Sequence, residues 1–168
     1  MLGRFASLLT LHGLIPRGLA RREGQAVLLI GHVGSSIWPH FTNWLAHQNP
    51  PPENPLDAWS KTIITAAAAE IGGHAVFPSD KPYMPFQQWA MQAEGLKKSP
   101  LGMLIHPVYG LWHAYRGAIL MPDEKLIQPV EKLSHPCESC TEKPCLSACP
   151  VNAFPDGGYD VAGCRSHI

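Results

Sequence analysis

No run of 18 apolar residues occurs in the chain, so nothing in it reads as a transmembrane helix. The apolar stretch from Leu8 to Leu14 is too short, and no small-residue cleavage site follows it, which argues against a signal peptide. Charge is scarce and balanced: Lys and Arg number 13, Asp and Glu 13, and together they make 15% of the residues. A chain without a field of one sign has no general means of recruiting nucleic acid or an acidic membrane. Other chemistries lack their patterns too. The nine histidines form neither an H-E-x-x-H motif nor an i, i+4 pair, which excludes the usual histidine metal sites. No Ser-His-Asp arrangement and no phosphate-binding lysine loop is present.

Apolar content, by contrast, is ordinary at 45%, enough for a globular core. The 168 residues allow one domain of usual size, or one with a small appendage. Seventeen prolines point to long ordered loops and partner-covered surface.

Four of the five cysteines fall in one stretch, Cys137-Glu-Ser-Cys140-Thr-Glu-Lys-Pro-Cys145-Leu-Ser-Ala-Cys149-Pro150. Bacterial [4Fe–4S] ferredoxins carry a C-x2-C-x2-C-x3-C-P run whose thiolates hold the irons. The spacing lets one tight loop aim several sulfurs at a single cube, and the final proline turns the chain away with no N–H to satisfy. The departure is the middle gap of four residues, with Lys143-Pro144 as the insertion, expected to bulge outward and leave the sulfurs in place. Structural zinc also takes four cysteines, but its ligands usually come as two pairs about 12–20 residues apart. A disulfide pair is the third alternative. Clustered thiols without a secretion signal fit a reducing cytoplasm.

Cys164 complicates the count. In two-cluster ferredoxins the fourth cysteine of the run ligates the other cluster. Cys137, Cys140 and Cys145 then need one more ligand, and Cys149 and Cys164 begin a second site. Two all-cysteine clusters need eight ligands, so either one cluster binds and one cysteine is spare, or the natural chain runs past Ile168; the second is the expectation.

Upstream, residues 2–13 have helical apolar spacing, with Gly13 as a stop. Gln25–Val33 is a continuous apolar run with β-branched members, the pattern of a strand buried on both faces. Gly34-Ser35-Ser36 breaks it, and Ser35 or Ser36 is expected to cap a helix from Ile37. Trp38, Phe41, Trp44 and Leu45 form a helical stripe suited to core packing. A second helix is expected over 56–71, ended by Gly72-Gly73. A short strand at 74–78 and a helix over 86–94 follow, then strands at 103–107 and 113–121. These elements predict an α/β or α+β domain over residues 1–130 and, past a charged linker at 122–136, an iron–sulfur module over 131–168. In the last strand, Arg116 stands among apolar neighbours and needs an anionic partner, either a protein carboxylate or a polar group of a cofactor.

The segment Ile105-His106-Pro107-Val-Tyr109-Gly110-Leu-Trp112-His-Ala-Tyr115-Arg116-Gly117, followed by a ferredoxin motif, resembles the group of epoxyqueuosine reductase, the corrinoid reductive dehalogenases and the CblC proteins. The whole chain is also similar to small bacterial ferredoxin-like proteins that share Pro78-Ser79-Asp80 and Tyr-Asp-Val-Ala-x-Cys. The resemblance implies a nitroreductase-like, CblC-like α/β domain followed by a ferredoxin-like module that stops within its second motif. It implies that His106, Trp112, Tyr115 and Arg116 contact a corrinoid, although His106 can equally serve a backbone carbonyl. No catalytic acid is identified; Asp80, beside Ser79 and Lys81, also reads as a turn former.

Two functional expectations stand together. The first is a cytoplasmic electron-transfer protein that binds one or two [4Fe–4S] clusters through Cys137, Cys140, Cys145, Cys149 and Cys164 and meets a redox partner protein. The second is an oxidoreductase whose first domain holds cobalamin or a flavin that the cluster reduces.

Overall fold

A computed structural model describes residues 2–122, 134–155 and 158–167, and the chain divides into two compact units. The first comprises 1–95 and 112–132, the second 96–111 and 133–168. Residues 96–111 thus pack with the cysteine-bearing segment, whereas the sequence reading puts them in the first domain. Most of the expected linker, 123–133, lies outside the described residues.

The first unit is mixed α and β. Its elements are α1 (Leu2–Thr10), β1 (Ile15–Arg22), β2 (Gln25–Val33), α2 (Trp38–Ala46), α3 (Pro55–Glu70), β3 (His74–Val76), α4 (Phe86–Glu94) and β4 (His113–Met121). The strands form one sheet in the order β1-β2-β4-β3, antiparallel at every pairing. Neighbours on a strand point to opposite faces. Ala26 and Ile30 of β2 and Ile119 and Met121 of β4 join the main core with Leu9, Phe41, Trp59 and Ile64. Val27 and Leu29 are equally buried on the other face, and α4, which packs on β1 and β2, brings buried Trp89, Ala90 and Ala93. Helices on both sides explain the unbroken apolar run of β2, a pattern more often seen in parallel sheets.

β1 escapes sequence reading because Pro16, Gly18 and three arginines interrupt its pattern. Proline is tolerated on an edge strand, and β1 is the edge. The β1–β2 turn is Glu23-Gly24, both at positive φ (46° and 81°), as a two-residue hairpin of the primed type demands. Gly13 ends the α1 segment at φ 69°, and a Cβ there would stand 2.0 Å from the Ser36 carbonyl oxygen. The expected serine cap of α2 is absent: Ile37 occupies the cap position without a side-chain bond, and the Ser36 hydroxyl donates to the Gly13 carbonyl at 2.7 Å. Joining two helix ends outweighs capping one of them.

The second unit has three short helices: α5 (Pro136–Ser139), α6 (Pro144–Ser147) and α7 (Val161–His167). None of them carries a buried residue. The strand expected at 103–107 is not formed. Only the isolated bridges Lys98–Leu104 and His106–Gly110 occur, because Gly102 and Gly110 at positive φ fold this stretch back on itself. Among the described residues of this unit only Leu96, Leu104 and Ala153 are buried apolar side chains.

Candidate metal centre

The cysteine segment is built on two single helical turns. His135 caps α5, its Nδ1 accepting the Cys137 N–H at 3.2 Å, and Pro136 occupies the first turn, where a missing N–H costs nothing. Cys140 ends this turn in an extended conformation. Lys143 then adopts the left-handed conformation (φ 44°, ψ 55°), and Pro144 opens α6, which carries Cys145. The two extra residues, both exposed, thus start a helical turn. Cys149 follows, and its sulfur accepts the Ala153 N–H at 3.3 Å.

All five cysteines are free and half-buried. Burial pushes the Cys137 thiol above its usual pKa, and the nearby thiols of Cys145 and Cys140 add to the shift. The Tyr159 pKa is raised, first by hydrogen bonding with Cys164 of α7, then by burial and by the neighbouring sulfurs of Cys164 and Cys149. Tyr159 also stacks on Phe154 at 5.1 Å, and Asp160 holds the start of α7 through the Gly163 N–H.

Among the described residues, no three His, Cys, Asp or Glu side chains converge closely enough to hold a single metal ion. Four thiolates on one zinc stand only about 3.8 Å apart, given Zn–S bonds of about 2.3 Å in a tetrahedron. In a cubane each cysteine binds its own iron, so the sulfurs stand wider.

The four residues proposed to face a corrinoid fall in both units. His106, in the second unit, is buried; its Nδ1 accepts the N–H groups of Val108 (3.0 Å) and Tyr109 (3.3 Å), and its ring stacks on Tyr109. The other three belong to the first unit. Trp112 is 79% exposed. Tyr115 donates its hydroxyl to Glu94 under the Arg17 guanidinium, 5.0 Å from the ring centre. Burial first, then Glu94, raises the Tyr115 pKa. Arg116 is the extra residue of a β-bulge, since Gly117 pairs with Ile30 and Tyr115 with Gly31. The bulge aims it at α3, where it donates to Asp57 (2.6 Å) and Ser60 (3.1 Å). Of the two partners open to it, Arg116 has a protein carboxylate. Asp80, in a loop, pairs with Lys61.

Two groupings had no sequence signal. Arg17, its side chain 2% exposed, makes a bidentate pair with Glu94 (2.8 and 3.0 Å), and its guanidinium also reaches the His32 carbonyl and the His113 ring. The partners lie 77 residues apart, a separation that no local pattern bridges. The other is a cleft of about 490 Å³ between α1, α2 and α3, lined by Trp44, Trp59, Ile63, His12, His40 and His47 among others. There burial, then the charge of His40, lowers the His12 pKa. Comparison of the chain with family models, with curated proteins and with solved structures finds no match.

Proposed function

We propose that the protein is an iron–sulfur electron-transfer protein, with Cys137, Cys140 and Cys145 holding one [4Fe–4S] group and Cys149 and Cys164 belonging to a second. The observation that carries this reading is the second unit itself. It has three buried apolar side chains among its described residues, three helices with no buried residue, and five free thiols. A unit this small without an apolar core is normally held together by disulfides or a metal group, and free thiols favour the second. The donors suit such a group: Cys149 already accepts a backbone N–H, the kind of hydrogen bond that tunes cluster sulfurs. When bound, the cluster supplies reversible one-electron transfer. The chain supplies thiolates, the proline-led turns that orient them, and a separate first unit.

That first unit we read as a nitroreductase-like, CblC-like domain that docks a redox partner protein in the cytoplasm. The corrinoid or flavin alternative has less behind it, because Arg116 and Tyr115 already bond to Asp57, Ser60 and Glu94. Anaerobically purified protein is expected to be brown, with broad visible absorption that bleaches on reduction, and to contain iron and acid-labile sulfide. Colourless protein with stoichiometric zinc and no sulfide would refute the reading. A spectral shift on titration with cob(II)alamin would favour the corrinoid alternative instead.

A further inference from the structure

The cleft between α1, α2 and α3 has no part in the function proposed above. Its volume of about 490 Å³ falls in the range of small-molecule sites, about 300–1,000 Å³. Trp59 is buried and its ring meets Phe41 edge-on at 5.8 Å and His12 at 6.2 Å, so packing fixes this wall. Trp44, stacked on Phe41 at 6.3 Å, and Ile63 extend the apolar lining. The polar part is made by His12, His40, Asn43 and His47, with Thr62 of α3. The bond from the Ser36 hydroxyl to the Gly13 carbonyl ties the end of the α1 segment to the start of α2, which brings the His12 and His40 rings to 6.3 Å. Among the described residues that line the cleft, none is Asp, Glu, Lys or Arg. The charge that this lining can present is therefore positive, on its imidazoles.

We propose that this cleft binds a small planar aromatic carboxylate, its rings against Trp44 and Trp59 and its carboxylate between His12 and His40. Flat apolar rings gain from offset or edge-on contact with tryptophan, and an imidazolium donates a charge-assisted hydrogen bond to a carboxylate. The titratable groups around the cleft are His12, His40 and His47; α3 contributes only uncharged side chains to it. Burial, then His40, holds His12 below its ordinary pKa. A carboxylate placed beside it favours the protonated ring, so binding takes up a proton. Affinity then rises as the pH falls from about 8 toward 6, where a carboxylate of pKa about 4 stays ionised. The site lies in the first unit and stands whether or not the second binds iron.

The test titrates the whole chain by calorimetry with 2-naphthoate as the probe and the neutral 2-naphthamide as its control. Naphthoate is expected to bind about fivefold or more tightly at about pH 6 than at about pH 8, and at the lower pH to exceed the amide by a similar factor. The joint replacement His12→Gln, His40→Gln should flatten this pH dependence. Ala66→Phe, at an exposed position of α3 on the cleft wall, should remove binding by filling the space while the urea midpoint stays close to the wild-type value. In wild-type protein, NMR of the histidine rings should show His12 and His40 shifting as naphthoate is added. Those shifts decide the matter should a variant fail to fold. No binding at about 1 mM naphthoate, equal affinity for the amide, or unshifted His12 and His40 rings overturn the proposal. So does a wild-type dimer that Ala66→Phe dissociates and that takes up no naphthoate, which would give the cleft to a second copy of the chain.

Discussion

Arg17 and Glu94 show how much hangs on single side chains in the first unit. The guanidinium is nearly inaccessible and its main countercharge is Glu94, which also accepts from Tyr115. Glu94→Ala leaves a buried cation without its carboxylate and is expected to cost about 3–5 kcal/mol, read as a lower urea midpoint. A loss below about 1 kcal/mol, the range of an exposed pair, would show that the pair is solvated. Histidines set the pH response. Burial, as the largest cause, holds both His12 and His32 below the ordinary value of 6.5. As pH falls through 6.5 the unfolded chain takes up protons that the folded chain resists, so stability is full above this value and declines below it. The urea midpoint at about pH 5.5 should therefore lie below that at about pH 7.5, and the joint replacement His12→Gln, His32→Gln should remove much of the difference. Equal midpoints in the wild type would contradict this.

Among the elements, α3 and α5 mark the two extremes. α3 runs for 16 residues, with Trp59, Ile63, Ile64, Ala67 and Ala68 buried, and its apolar pattern is plain in the sequence. The turns α5 and α6 are four residues each, far too short to form alone, and only caps and prolines mark them. On the function proposed above they orient thiols, which leads to a prediction about ligand sets. Cys137→Ser should abolish the group proposed for it with Cys140 and Cys145, whereas Cys164→Ser, assigned to the second proposed group, should leave that iron close to the wild-type amount. Equal loss in both variants, by iron and sulfide analysis, would mean that all five thiols serve one group.

Over the whole molecule, the proposed function gives the two units different sources of stability. The first has an apolar core on both faces of its sheet; the second has thiols in place of one. Removing iron should therefore act on the second alone. Hydrogen exchange of iron-free protein is expected to show fast exchange at α5–α7 and continued protection along β2 and β4. Protection unchanged in both units would show that the second folds without a bound group.

The sequence by itself determined the elements whose pattern is local and periodic: β2, α3, α4 and β4, and the spacing of the cysteines. It determined that Arg116 needs an anionic partner, since an unpaired buried charge is too costly, but not which one. Tertiary structure decided that choice through a bulge that turns the side chain toward Asp57. It decided also that β1, poor in strand residues, is held by the hairpin to β2 and by α4. The Arg17–Glu94 pair belongs to the same class. Each joins residues far apart along the chain, or neighbours whose side chains a turn redirects, and side-chain order alone does not encode such proximity.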